Sequence, residues 1–283
     1  MRVFHALALS FIFTAHGSMA NDGAQVDSLV NSVDADSIAD QLVAKEQSRV
    51  VSELTRRAEA GDANAQVALG ILYVQAQGVA QDYVKAHRWF ALASAQGHPR
   101  AQNALGNLYS AGWGVQQSYE QSLHWYTLAS DQGYSKSQEQ LGWMYYVGSG
   151  VVKDFDRAFR FFTLAAQQGE PFSQNMLGSM YFKGEGVAQD YSQALHWYEL
   201  SALQGFENAQ LHLGKMYLDG HGGRKDLRKA YIWFSIAATS TDQEVAKAAV
   251  AGRFASIGSS SYSMRTIQAE IDALRETIAS RKR

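Results

Sequence analysis

The chain has 283 residues, of which 46% are hydrophobic, and its net charge at pH 7 is −2. Acidic and basic residues are interspersed, so the basic patch typical of nucleic-acid-binding proteins is missing and we expect no nucleic acid partner. The sequence contains no cysteine, which excludes disulfide bonds, lipid attachment at a processing cysteine and catalysis by a cysteine nucleophile.

Residues 1–20 have the composition of a secretory signal peptide. Arg2 precedes a mostly apolar run over residues 3–15, and small residues stand three and one positions before Asn21. The run is shorter than the roughly 20 residues that span a bilayer, and an uncleaved membrane anchor is the alternative. The sequence predicts cleavage after Ala20 and a periplasmic protein without a membrane span. Secretion beyond the outer membrane is a further alternative.

Residues 21–60 are interpreted as a polar segment followed by a capping helix. The segment 21–35 is polar, and apolar residues at helical spacing begin near Asp36. Gly61 then keeps the spacing of the repeats that follow. We therefore predict a helix that replaces the missing second helix of a preceding unit.

Residues 61–241 contain five copies of one 36-residue unit without insertions. Each copy carries a Leu-Gly pair and, three residues further on, a tyrosine. The pairs are Leu69-Gly70, Leu105-Gly106, Leu141-Gly142, Leu177-Gly178 and Leu213-Gly214. Self-similarity at such a period is typical of a solenoid, in which each unit buries its apolar face against its neighbours.

Each unit is predicted to contain two α-helices, which we call helix A and helix B. In the first unit, apolar residues recur at helical spacing from Ala65 to Ala76 and again from Tyr83 to Ala93. Gly97 is predicted to end helix B with a positive φ. Most units carry glycines between the two helices, which permit a tight reversal of the backbone.

The residue before helix B is predicted to cap its first N–H groups in every unit. These capping residues are Asp82, Ser118, Asp154, Asp190 and Asp226. In units two and four, Gln121 and Gln193 stand where a capping box would return a hydrogen bond to the N–H of the cap residue.

A row of large aromatic residues recurs on helix B and is predicted to be buried between units. The row consists of Trp89, Trp125, Phe161, Trp197 and Trp233. The glycines of the Leu-Gly pairs are predicted to let neighbouring helices approach closely.

The repeated motif A-x-x-x-L-G-x-x-Y-x-x-G-x-G-V-x-x-D-x-x-x-A-x-x-W-x-x-x-A-x-x-x-G resembles the Sel-one-like repeat, a relative of the tetratricopeptide repeat. The resemblance covers about residues 61–241, with Ala76 in place of one loop glycine. It implies an all-α fold, a right-handed α-solenoid of five helix-turn-helix repeats with capping helices at both ends. By analogy with tetratricopeptide arrays, helix A would line the concave surface.

Residues 242–283 are predicted to form capping helices after the last repeat. In the last helix, the apolar residues alternate spacings of three and four from Met264 to Ile278, which is typical of a narrow packing seam. One interpretation is a cap folded over the open end of a monomeric solenoid. The other is a helix that pairs with a partner or with a second copy of the chain.

The sequence offers no recognisable catalytic centre. It lacks the G-x-S-x-G, S-x-x-K and H-E-x-x-H motifs. His124 and His196 share one repeat position with Arg88 and Arg160, which indicates a variable solvated face rather than a metal site. We therefore expect no enzyme activity, metal or cofactor. Relatives described as penicillin-binding or β-lactamase-like carry paired cysteines that this chain lacks.

A protein-binding surface is predicted at the positions of helix A that differ between units, because positions used for packing are the same in every unit. Trp143 and Tyr146 stand at the centre of this surface, and aromatic residues there are typical of protein-binding hot spots. The alternative is that both side chains pack across the concave side. The candidate residues are Asn103, Asn107, Glu139, Trp143, Tyr146, Asn175, Ser179 and Lys215, with Trp113 in a loop as a second candidate.

The sequence thus favours an exported, non-catalytic scaffold or regulator that binds an envelope or membrane protein. The resemblance implies roles such as inhibition of a sensor kinase or control of exopolysaccharide assembly. Two alternatives stay open: a peptidoglycan-binding or β-lactamase-like envelope enzyme, and a secreted host-interaction factor.

Overall fold

The computed structural model describes residues 35–256 and 263–281, and the predicted signal peptide lies outside these ranges. Over the described residues the fold is all-α, with thirteen helices and no strand. The helices are α1 (Ala35–Glu59), α2 (Ala63–Gln75), α3 (Tyr83–Ala95), α4 (Pro99–Ala111), α5 (Tyr119–Asp131), α6 (Ser135–Val147), α7 (Phe155–Gln167), α8 (Pro171–Lys183), α9 (Tyr191–Leu203), α10 (Glu207–Asp219), α11 (Leu227–Ala237), α12 (Gln243–Ala255) and α13 (Met264–Arg281). Helices α2 to α11 are the A and B helices of five successive units, which confirms the predicted α-solenoid.

The predicted caps of helix B form in all five units. The side chain of Asp154, for example, accepts a hydrogen bond of 2.9 Å from the N–H of Arg157. The predicted capping box does not form. The N–H of Ser118 donates instead to the carbonyl of Tyr109 at 3.0 Å, and the equivalent bond joins Asp190 and Tyr181. The cap N–H groups are therefore already used and cannot serve Gln121 and Gln193.

Helix A ends in a left-handed residue in every unit. Four units place glycine there, from Gly112 with φ 71° to Gly148 with φ 85°. In the first unit this position is Ala76, which keeps the left-handed conformation with φ 56°. Since a Cβ atom disfavours this conformation, the backbone is locally strained in the turn between helices A and B of unit one. Gly97 ends helix B with φ 82°, as predicted.

The prediction that the aromatic row on helix B is buried is wrong for most of its members. Four of its five side chains are half-buried, and only Trp233 is buried, at 6% exposure. The fully enclosed ring belongs to the next residue along the helix, such as Phe162. A Cβ atom on Gly142 would lie 2.7 Å from that ring. The glycine of each Leu-Gly pair therefore makes room for a helix B ring.

The two ends of the array are covered in different ways. At the start, Val51 and Leu54 of α1 pack beside Leu69 of the first unit, where a preceding helix B would lie. At the other end, α12 packs on α10 and α11 and closes the array. The last helix, α13, does not cover the open end, and in this respect the structure differs from the interpretation of α13 as a cap. It lies across α9 and α11 on the side of the B helices.

Within residues 35–256 and 263–281, no helix combines the length and the apolar character that crossing a bilayer requires.

Candidate functional site

The variable positions of helix A separate into buried and accessible sets. We call the surface formed by these positions the groove face. Its first row is buried in every unit, and the row consists of Val67, Asn103, Glu139, Asn175 and Leu211. The second row is half-buried or exposed, and it consists of Ile71, Asn107, Trp143, Ser179 and Lys215. The second row is therefore the part of the predicted site that a partner can reach.

The polar residues of the first row join neighbouring units. Ser137 donates a hydrogen bond of 2.9 Å to Asn103, and Ser173 donates one of 2.9 Å to Glu139. His212 Nδ1 lies 3.1 Å from Asn175 Oδ1. Because Asn175 Oδ1 only accepts, Nδ1 carries the proton. These contacts show why Asn103, Glu139 and Asn175 are buried.

Glu139 is held inside an ionic cluster rather than at the rim of the groove. Only 8% of the residue is exposed, and its carboxylate lies 3.7 Å from the Lys136 ammonium. Lys136 also pairs with Glu170, which accepts a hydrogen bond of 2.6 Å from Ser135. Burial raises the pKa of Glu139, while Lys136 opposes the shift. The cluster ties α6 to the start of α8.

Four aromatic side chains form a continuous cluster on the groove face, which we call the aromatic cluster: Trp143, Tyr146, Phe172 and Phe206. Trp143 stacks on Tyr146 with 6.0 Å between ring centroids and meets Phe172 edge to face at 5.7 Å. Phe172 meets Phe206 at 6.1 Å. The cluster spans units three to five, and Trp143 is 41% exposed at its surface. It therefore offers an apolar surface, exposed mainly at Trp143, that has no covering element within residues 35–256 and 263–281.

Charged residues border the aromatic cluster on one side. The Tyr146 hydroxyl donates a hydrogen bond of 2.8 Å to Glu185 and accepts one of 3.2 Å from Lys183. Burial raises the pKa of Tyr146, and the bond to the Glu185 carboxylate adds to the rise. The Lys153 ammonium lies 4.3 Å from the centre of the Phe155 ring, which in turn contacts Tyr146. The aromatic cluster thus has an apolar centre and a polar, charged border.

The remaining accessible candidates on helix A lie in the same row as Trp143, in units two, four and five. Asn107 is exposed and accepts a hydrogen bond of 2.7 Å from the Tyr126 hydroxyl. Lys215 is exposed and Ser179 is half-buried. In units one and two, Val67, Ile71, Asn103 and Asn107 line a shallow cavity of about 250 Å³ together with Tyr134. The A helices of units one and two therefore leave a shallow depression between them.

Trp113 is not part of the aromatic cluster. Its ring stacks on Tyr83 of the preceding unit with 5.1 Å between centroids. The neighbouring loop residue, Gly114, lies so close to Tyr83 that a Cβ atom there would stand 2.6 Å from its backbone. Trp113 thus helps to dock one loop on the preceding unit, although 45% of it is exposed.

Two structural features are not among the predictions from the sequence. Phe172 and Phe206 extend the aromatic cluster, and Phe172 stands where other units carry Arg100, Lys136 and Asn208, so the repeat frame itself marks it as unusual. A series of glutamine pairs, at 2.7–2.9 Å, also joins helix A to the end of helix B within each of units one to four. The pairs are Gln66–Gln96, Gln102–Gln132, Gln138–Gln168 and Gln174–Gln204. Both partners recur every 36 residues and were visible in the sequence.

Residues with metal-binding side chains do not gather at the groove face. In the part of the chain that the structure describes, no group of three or more His, Cys, Asp or Glu residues has the arrangement of a metal site. Burial lowers the pKa of His212 to about 4, so its ring is neutral at ordinary pH and serves the contact with Asn175. The groove face is suited to apolar contact and hydrogen bonding.

Comparison with solved structures identifies similar repeat proteins. One is a protective antigen present in uropathogenic Escherichia coli strains that displays an SLR fold, with 33% identity and a TM-score of 0.69. The alignment covers 81% of this chain and 48% of the antigen, so the chain spans about half the length of that protein. Another is a Sel1 repeat protein from Oxalobacter formigenes, with 27% identity, a TM-score of 0.66 and coverage of 76% of this chain and 88% of the other. No curated protein matches the chain.

The family comparison agrees with the helical units. The Sel1 repeat model matches residues 63–98, 99–134, 135–170, 171–206 and 208–242, which together are more than half of the chain. Each matched stretch contains one helix A and one helix B of the structure. The chain therefore belongs to the Sel1 repeat family.

Proposed function

We propose that the protein is a non-catalytic scaffold or regulator that binds another protein through the aromatic cluster of the groove face. Sel1 repeat proteins generally act in protein–protein interactions. The observation that carries the proposal is Trp143, which is 41% exposed, stacks on Tyr146 and meets Phe172 edge to face. Aromatic residues with an apolar centre and a polar border are typical of interface hot spots.

The residues that occupy the position of Trp143 in the other units support a role of Trp143 in binding. The equivalents of Trp143 in the other units are Ile71, Asn107, Ser179 and Lys215. Since residues of such different size and polarity fit the same position, the fold does not require tryptophan there. An exposed tryptophan that packing does not need is best explained by a partner.

Affinity capture with three forms of the chain tests this proposal. The parent chain, Trp143→Ala and Val152→Asp are immobilised and exposed to a cell-envelope extract. Val152 is a matched control because it is an apolar residue, 88% exposed, in a loop of the same unit. A partner should be retained by the parent and by Val152→Asp and lost from Trp143→Ala. Equal retention on all three forms would contradict the proposal.

The proposed place of action is the bacterial cell envelope. Export is supported by Arg2, the short apolar run and the small residues before Asn21. Envelope signalling or assembly, such as inhibition of a sensor kinase or control of exopolysaccharide, is the process that we propose on this basis.

If the protein is exported, the amino terminus of its mature form is defined. Mass spectrometry of protein recovered from the periplasm should find Asn21 at the amino terminus, because cleavage after Ala20 removes the apolar run. A chain that keeps Met1 and stays with the membrane fraction would contradict export as a periplasmic protein.

A secreted host-interaction factor is the second candidate. It is favoured by the similarity to the Escherichia coli protein described as a protective antigen. The same capture experiment, with host-cell extract in place of envelope extract, separates the two candidates.

A further inference from the structure

The B helices carry exposed aliphatic residues on the side away from the groove face. In unit five this side presents Arg228, Ile232 and Ile236, and we call it and its equivalents in the other units the outer face. The equivalents are Val84, Arg88 and Leu92 in unit one, Glu120, His124 and Leu128 in unit two, and Asp156, Arg160 and Leu164 in unit three. Leu92 is 50% exposed and Leu164 is 45% exposed.

The chain itself shows what kind of element covers the outer face. Helix α13 lies across α9 and α11 and buries Ile267, Ile271 and Ile278 in one core with Ile232 and Ile236. The outer face of unit five is thus covered by an amphipathic helix that also contacts the B helix of unit four. Within residues 35–256 and 263–281, no helix covers the outer face of units one to three.

Polar contacts fix α13 on the outer face of unit five. Glu270 pairs with Arg228, and Arg275 donates a hydrogen bond of 3.2 Å to the Ser235 carbonyl. The binding of a helix to the outer face is therefore stabilised both by burial of its apolar side and by ion pairs with charged residues on its flanks.

The outer face of units one to three carries different charged residues from the outer face of unit five. Where unit five has Ile232, units one and three have Arg88 and Arg160, both exposed. Glu120 and Asp156 lie one helical turn earlier in units two and three. A helix on these units would place its aliphatic ridge over Leu92 and Leu164, with carboxylates on the flank that faces the arginines and none on the other flank.

We propose that the outer face of units one to three binds an amphipathic helix of a partner protein, with one acidic flank, in the manner in which α13 covers the outer face of unit five. Helix α13 has 18 residues, about 27 Å of helix, and contacts the B helices of two units. The expected occupant is a helix of about that length. This site is separate from the aromatic cluster and does not rest on it.

Two designed 18-residue peptides provide the probe. Both carry a leucine ridge; one has glutamate on one flank and glutamine on the other, and the second has lysine in place of glutamate. Each is labelled with a fluorophore and titrated with the full chain while anisotropy is recorded. The glutamate peptide should bind saturably and at least tenfold more tightly than the lysine peptide.

Variants of the full chain then locate the site. The double change Leu92→Asp and Leu164→Asp should weaken binding at least tenfold, whereas Val152→Asp and Trp143→Ala should leave it unchanged. The double change Arg88→Glu and Arg160→Glu should invert the preference, so that the lysine peptide binds more tightly. Circular dichroism checks that each variant is folded.

Several results would overturn the proposal. They are the absence of saturable binding, equal binding of the two peptides, a preference that the charge reversal does not invert, and loss of binding in Trp143→Ala. The last result would move the peptide site to the groove face. Vesicles of phosphatidylcholine with phosphatidylglycerol form a further arm. If the chain binds the vesicles through Arg88 and Arg160 and does not bind the peptides, the outer face is a membrane surface and the proposal is wrong.

Discussion

At the scale of single residues, the protein separates positions that fold the chain from positions that are left for a partner. Asn103, Glu139 and Asn175 differ between units, yet each is buried against the next unit. Variation between repeats therefore does not by itself identify a binding residue. Exposure, which requires the structure, distinguishes Trp143 from these three.

Ala76 has a left-handed backbone conformation, so its replacement by glycine should stabilise the protein. Ala76→Gly should raise the free energy of unfolding by about 0.5–1 kcal/mol, because glycine adopts φ 56° without the penalty of a Cβ atom. The matched control is Ala91→Gly in the middle of α3, which should lower the free energy of unfolding by about 1 kcal/mol. Urea denaturation of both variants measures the two values. A loss of stability in Ala76→Gly similar to that of the control would show that the turn is not strained.

At the scale of the helices, each helix B buries one ring and leaves its neighbour partly open. Phe162 is completely buried against Gly142, while Trp197 lies half-buried at the edge of the core between units. The sequence repeats both aromatic positions, and its period alone does not say which of two adjacent residues faces inward. Helix α13 presents the same limit. The apolar seam of α13 predicts that this helix packs against another surface, but it does not indicate which surface.

This difference predicts unequal costs for two similar truncations. Phe162→Ala should cost about 3–5 kcal/mol of unfolding free energy, the range for emptying a fully buried aromatic site. Trp197→Ala should cost about 1–3 kcal/mol, because part of its apolar surface is already in water. Thermal and urea melts compare the two variants under the same conditions. A larger loss for Trp197→Ala would mean that the row of tryptophans is the true core.

At the scale of the whole molecule, the repeat frame made the fold predictable. The 36-residue spacing located both helices of every unit, and loop and cap residues such as Gly97 and Asp154 took the predicted conformation and hydrogen bond. The site was only partly predictable. Trp143 and Tyr146 stood out in the repeat comparison, whereas Phe206 joins the aromatic cluster only because successive A helices lie side by side.

The solenoid also explains how one chain offers two separate surfaces. Each unit turns helix A to the groove face and helix B to the outer face, so any property repeated on one helix becomes a row along the molecule. The groove face ends in the aromatic cluster of units three to five. The outer face of unit five is covered by α13, and no helix in the described part of the chain covers the outer face of units one to three.

The central claim is that the aromatic cluster is a binding surface and not part of the folding core. Titration calorimetry with the captured partner, on the parent chain and on Trp143→Ala, tests it most directly. We expect Trp143→Ala to lose about 2 kcal/mol or more of binding free energy, the usual threshold for a hot-spot residue, and to keep its melting temperature unchanged. Unchanged affinity, or a variant that unfolds, would contradict it.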